Sequence, residues 1–231
     1  FIISKFSAQT YGLEFKGINN SLDNRTGLDL TPNGYLSFKN EFEISFDYKA
    51  TRLNPGLNGG LFGYILRIIN KENNNIDLLS SISPGSIEPK FNIVVGNLDS
   101  IIQTDYPENA INNWIRLRIK INLAKDQLIF YTPFSPDPFH VQENIGFKEN
   151  DEFKILFGVN EFKHFKTSDV PTMSIRDIKI VEQGTLKYHW PLDEKEDSIA
   201  TDRLMGHKAL VKNPVWLNLR HQVWQPKFEN E

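Results

Sequence analysis

Trp114, Arg116, Arg118 and Lys120 stand at alternate positions of one short segment, Trp114–Asn122. A period of two places alternate side chains on one face of a strand. One face of this segment then offers a large aromatic ring beside a row of cations. Such a ring can stack on the apolar face of a sugar. A guanidinium beside it donates charge-assisted hydrogen bonds to hydroxyl or uronate groups. Trp114, Arg116 and Arg118 are therefore the candidate carbohydrate-binding residues. The segment Tyr131–His140 is a second aromatic candidate, stiffened by Pro133, Pro136 and Pro138. Each has a plainer alternative. Trp114 can be tucked under a loop at a strand start, the arginines can be an ordinary outer sheet face, and the proline loop can lid one end of the molecule.

Other chemistries find little support. His140, His164, His189, His207 and His221 have no metal-ligand spacing such as His-x3-His, and no Gly-x-Ser-x-Gly elbow is present. There is no phosphate-cradling glycine loop, since Asn58-Gly59-Gly60 reads as a turn. Cysteine is absent, which removes disulfides, thiolate metal sites and cysteine nucleophiles together.

The elements that must position these residues are strands. Phe42–Lys49 alternates apolar and polar without a fault, and so does Ile115–Asn122. About thirteen segments read as strands. They are Tyr11–Phe15, Thr26–Leu30, Tyr35–Phe38, Phe42–Lys49, Leu61–Asn70, Asn75–Ser81, Lys90–Val95, Ile101–Thr104, Trp114–Asn122, Gln127–Tyr131, Phe153–Val159, Met173–Glu182 and Leu186–Trp190. Turn signals such as Pro32-Asn33-Gly34 and Ser83-Pro84-Gly85 separate them, and Ala124-Lys125-Asp126 closes a tight hairpin. No long stretch carries a helical period. The expected fold class is all-β, a two-sheet antiparallel β-sandwich.

Finer expectations follow from the same pattern. Phe42, Ile44, Phe46 and Tyr48 should face the core with Ile115, Leu117, Ile119 and Ile121. Leu61–Ile69 is nearly all apolar and reads as a central strand covered on both faces. Arg67 within it needs a partner, and Asp77 in the next strand is the nearest candidate. In Met173–Ile180 the alternation slips by one at Arg176-Asp177, which is what a β-bulge does.

The chain has 231 residues and a net charge of −3, so it lacks the basic footprint of a nucleic-acid binder. It has no apolar run long enough for a membrane-spanning helix. Freedom from cysteine fits a bacterial protein. After Gln183 the texture changes: an acidic stretch, Pro191–Asp197, is followed by Trp216, His221 and Trp224. The expected organisation is a sandwich over residues 1–183. Residues 184–231 then form a strand and tail that wrap back or lead into a downstream domain.

At this point a family resemblance is carried by Gly12–Phe15, Arg25–Leu28, Phe42–Lys49, Phe62–Ile68, Asn75–Leu78, Asn113–Ile115 and Met173–Ile180. In this order they resemble a laminin-G-like, concanavalin A-like domain of exported Gram-negative polysaccharide degraders. The resemblance covers residues 8–183. Tyr188–Glu194 and Asn213–Trp216 resemble the linker after such domains, which sometimes leads into a β-propeller. It implies a concanavalin A-like jelly roll and a location in the periplasm, at the cell surface or outside the cell. It also implies a glycan or polysaccharide partner, though members of the superfamily include adhesion modules, glycosidases and domains that only pack on a neighbour.

The glycosidases of that superfamily place carboxylates as Glu-x-Asp-x-(x)-Glu on one strand face. Here Glu43-Ile44-Ser45-Phe46-Asp47 is the nearest match, with Ser45 for the middle Asp and the shorter Asp47 for the last Glu. No catalytic residue is carried over, and the protein is expected not to be an enzyme. No cofactor is expected. Lectin-like sandwiches often hold calcium by loop oxygens, so calcium is the one ion to consider. Its candidate ligands are Asp23 with Asn24, Asn73–Asn75, and Asp193, Asp197 and Asp202. The expectation is thus a non-catalytic glycan- or surface-binding module, with a spacer or a degenerate hydrolase or lyase as alternatives.

Overall fold

A computed structural model describes residues 9–51, 60–82, 89–96, 101–105, 111–131 and 137–220. The Ser83-Pro84-Gly85 turn, Asn58 and Gly59, loop residues 132–136, His221 and Trp224 lie outside these described residues. In chain order the strands are β1 (Gln9–Phe15), β2 (Gly27–Asp29), β3 (Leu36–Ser37), β4 (Glu41–Ala50), β5 (Gly63–Asn70), β6 (Asn75–Ile82) and β7 (Pro89–Val95). They continue as β8 (Ile101–Asp105), β9 (Ile115–Asn122), β10 (Gln127–Tyr131), β11 (His140–Glu143), β12 (Glu152–Gly158), β13 (Asn160–Phe162) and β14 (Phe165–Thr167). The last are β15 (Met173–Glu182), β16 (Thr185–Trp190), β17 (Ile199–Thr201), β18 (Lys208–Lys212) and β19 (Trp216–Arg220). A short 3-10 turn spans Leu22–Asn24.

These strands build two antiparallel sheets. The first runs β11-β10-β9-β4-β15-β1-β19, with β16 also pairing β15. The second runs β17-β18-β2-β12-β5-β6-β7-β8, with β3 also pairing β12. The protein is a β-sandwich. All the segments expected from alternation contain a strand. The pattern missed β11, β13, β14, β17, β18 and β19. These are short, and a run of three to five residues offers too few alternations to stand out. Strands after residue 183 enter both sheets: β16 and β19 join the first, β17 and β18 the second.

Alternation fills the space between the sheets. Phe42, Ile44, Phe46 and Tyr48 are buried opposite Ile121, Ile119, Leu117 and Ile115. Phe46 meets Phe157 of the other sheet edge-on at 5.1 Å, and Phe42 lies 5.2 Å from Phe153. Aromatic pairs add to the area they bury. Gly158 ends β12 at φ 66°, where a Cβ would come within 2.6 Å of Phe15 Cδ1. Only glycine fits this left-handed, crowded position.

The slip in β15 is a bulge. Met173 and Ile175 face the core, as do Ile178 and Ile180, and the register against β4 shifts between Arg176 and Lys179. Asp177 absorbs the extra residue at φ 50°.

β5 is central, between β12 and β6. Leu66 and Ile68 face the core, so Arg67 points to the other side of the sheet. There it forks onto Asp77, its cross-strand partner, with both N–H···O distances 2.7 Å. Asn75 donates to the same carboxylate at 3.0 Å. The rings of Tyr64 and Phe165 stand 5.3 and 5.5 Å from the guanidinium. Phe165 comes from the β13–β14 hairpin, whose Lys163 bonds to the Lys71 carbonyl and to Asn73. Burial works against charge on Arg67, but the bonds to Asp77 outweigh it and its pKa is raised.

Candidate functional site

The outward positions of β9, β4 and β15 form a rung of charges. Asp47 lies opposite Arg116 on one side and Arg176 on the other. Its Oδ1 accepts from Arg116 at 2.9 Å and its Oδ2 from Arg176 at 3.2 Å. Arg116 also donates to Ser45 Oγ at 3.1 Å. Further along the same face, Lys120 donates to Glu41 at 2.9 Å. Both oxygens of Asp47 and two donors of Arg116 are therefore engaged within the protein.

Aromatic rings lie among these charges. Arg176 Cζ is 4.3 Å from the centroid of Trp114, and Lys49 Nζ is 5.1 Å from it. Arg118 Cζ is 4.2 Å from the centroid of Tyr131 on the neighbouring strand. Stacking of this kind holds a guanidinium flat while its N–H edge stays available. Gly12 lets the indole lie close to β1: a Cβ there would come 3.3 Å from Trp114 Cη2, and φ is 143°.

Trp114, Arg116 and Arg118 are all half-buried on this side of the first sheet, in three different states. Trp114 is not an open platform, because Arg176 and Lys49 stand over it and Gly12 backs its edge. Arg116 is held by Asp47 and Ser45. Arg118 rests on Tyr131 and makes no hydrogen bond or ion pair with another described residue. Of the proline loop, Phe139 is exposed and stands edge-on to Phe130 at 6.5 Å.

The bulge adds a cluster that residue spacing did not reveal. Asp177 Oδ2 accepts from the Tyr11 hydroxyl at 2.7 Å, and Oδ1 lies 3.1 Å from His189 Nε2. Burial raises the Asp177 pKa, but the bonds from Tyr11 and His189 lower it further, so the carboxyl is held below the ordinary aspartate value. Tyr11 is pushed up to about 12, by burial first and then by the bond to Asp177 and its charge. Arg176, next to Asp177, lies 5.3 Å from the Tyr11 ring. The slip at Arg176-Asp177 marks the bulge in the sequence. Tyr11, distant along the chain, and His189, on the neighbouring strand β16, are joined to it only by folding.

Among the candidate calcium ligands, Asp193, Asp197 and Asp202 serve as turn and pairing groups. Asp202 accepts the backbone N–H groups of His189, Leu204 and Met205. Asp193 pairs with Arg203, and Asp197 accepts from the Ser198 N–H. Among the described residues no group of three or more His, Asp or Glu side chains gathers as a metal shell.

No protein-family model and no curated protein matches the sequence. Solved structures do. A candidate carbohydrate-binding protein of Bacteroides ovatus superposes with a TM-score of 0.57 at 12% identity, over 91% of this chain and 60% of that one. Domains LG4-5 of the mouse laminin α1 chain give 0.51 at 15%, over 89% and 46%. A heptameric SAP-like pentraxin of Limulus polyphemus gives 0.51 at 12%, over 77% of each chain. The chain has the concanavalin A-like fold. It spans about half to three-fifths of the laminin and Bacteroides chains it matches. Among its described residues no helix is long and apolar enough to cross a membrane.

Proposed function

We propose that this concanavalin A-like sandwich is a non-catalytic glycan-binding module of an exported bacterial protein, and that it binds through the outer side of the first sheet. The observation that carries the reading is Arg118 laid on Tyr131 without another partner among the described residues, beside the Arg176–Trp114 stack. A ring and a guanidinium edge presented together suit a sugar that carries a carboxylate. These strands carry Lys49, Arg116, Arg118, Lys120, Arg176 and Lys179 against Glu41, Glu43, Asp47, Asp177 and Glu182. The charges nearly balance, and Arg118 is a cation that no described acid pairs, which favours an acidic over a neutral polysaccharide. Arg116 and Trp114 act by holding Arg176 and the rung in place. Likeness in fold to a candidate carbohydrate-binding protein agrees with this reading.

The non-catalytic part rests on Asp47. A glycosidase carboxylate must exchange a proton or attack a sugar carbon. Asp47 has one oxygen on each of two arginines instead, and Ser45 carries no carboxyl at all. The test is retention of the protein by uronate-containing and neutral polysaccharides in affinity electrophoresis. Uronate polymers should retard it, with retardation lost in Arg118→Ala. Equal migration in every gel would sink the binding proposal. Release of new reducing or unsaturated ends, abolished by Glu43→Gln, would make the protein an enzyme.

A further inference from the structure

On the second sheet, a groove of about 250 Å³ lies between the β2–β3 loop and the β17–β18 hairpin. Leu30, Thr31, Asn33, Gly34 and Tyr35 line one side, and His207 and Lys208 line the other. Both walls are built rather than loose. Asp29 Oδ1 accepts from the Thr31 N–H at 2.7 Å and from its hydroxyl at 3.1 Å, and the Thr31 carbonyl accepts from Gly34 at 3.2 Å and from Lys154. Across the groove, the three backbone bonds to Asp202 fix the hairpin turn. The His207 ring stands edge-on to Tyr188 at 5.1 Å. β18 pairs β2 directly, Leu210 opposite Asp29, so the two walls share one register.

We infer that this groove is a second ligand site, which takes one carboxylate-bearing sugar residue. Tyr35 lines the groove, and its ring is held edge-on by Phe162 at 6.1 Å and flanked by Lys71 at 4.8 Å and Lys154 at 5.7 Å. The Tyr35 hydroxyl, the Asn33 amide and the His207 imidazole have no hydrogen-bond partner among the described residues. Lys208 Nζ spends one of its three donors on Thr201 Oγ1 at 3.0 Å. A sugar ring offers both donors and acceptors, which tyrosine, asparagine and histidine can all answer. No carboxylate lines the groove, so Lys208 is the group that selects an acid. The volume suits a single ring rather than a chain. Rigid walls lower the ordering cost of binding. The site stands apart from the outer side of the first sheet and does not depend on it.

The test is titration of the ¹⁵N-labelled chain with sodium glucuronate, followed by amide chemical shifts, with glucose as the control. The amides of Gly34 and Lys208 should shift and saturate with glucuronate, and at least tenfold more weakly with glucose. Lys208→Ala should weaken glucuronate tenfold or more, and Tyr35→Ala should abolish the response. Arg118→Ala should leave it unchanged, which separates this site from the proposed polysaccharide face. Unmoved Gly34 and Lys208 amides would overturn the proposal. So would equal response to glucose, or a Lys208→Ala titration identical to the parent.

Discussion

Each sheet carries an arginine–aspartate pairing on the side away from the core, and the two serve different ends. Arg67 and Asp77 are sealed, each side chain 6% exposed, beneath rings of Tyr64 and Phe165. Arg116 and Asp47 are 32% and 20% exposed, and Asp47 is shared with Arg176. A buried pair must satisfy itself, because an unpaired charge there is heavily penalised. A half-exposed pair keeps water, can exchange partners, and costs little to rearrange. The hairpin β13–β14 closes one face into structure. The other face leaves its guanidinium groups partly exposed to water.

The contrast breaks most sharply at Asp77. Asp77→Ala should strip about 3–5 kcal/mol from unfolding in urea, since it strands a buried guanidinium. Replacing both partners, Arg67→Met with Asp77→Leu, should recover most of that loss. A double variant as weak as the single one would show that the pair itself, and not the stranded charge, sets the stability.

Asp47→Ala should cost only about 1 kcal/mol. That cost should shrink as salt rises, while the Asp77 effect stays constant, because screening reaches exposed charges first. Matching salt dependence at both sites would mean that the two pairs are equally open to solvent.

A smaller effect belongs to the bulge. The folded pKa of Asp177 is depressed, so its contribution is full above the unfolded aspartate value of about 3.9 and fades as pH falls through the folded value. The folded pKa of Tyr11 is raised to about 12. Its contribution is therefore full below the unfolded value of about 10 and disappears as pH rises towards the folded one. Denaturation midpoints of the parent and of Tyr11→Phe should differ at neutral pH and converge above that window. In ultraviolet titration Tyr11→Phe should remove one late phenol. The smallest effect on stability is expected at Arg118→Ala, within about 0.5 kcal/mol, since Arg118 supports nothing else. A large loss there would recast Arg118 as a structural residue and weaken the binding proposal.

Alternation by itself determined much of this protein. Phe42–Lys49 and Ile115–Asn122 announce two half-buried strands, because a period of two has only one way to bury its apolar set. The need of a buried charge for a partner pointed from Arg67 to Asp77, and the slip at Arg176-Asp177 gave the bulge. Strand parity also put Arg116 and Arg118 on one side. Tertiary structure decided what those side chains do there. Arg176 over Trp114 and Tyr11 on Asp177 are contacts between strands far apart in the chain, while Tyr131 under Arg118 and His189 on Asp177 depend on the register of neighbouring strands. Short strands such as β17 and β18 left no readable period, yet their hairpin supplies His207 and Lys208 to one wall of the groove. Periodicity reports which way a residue faces. Who stands beside it depends on sheet order, which long-range pairing sets.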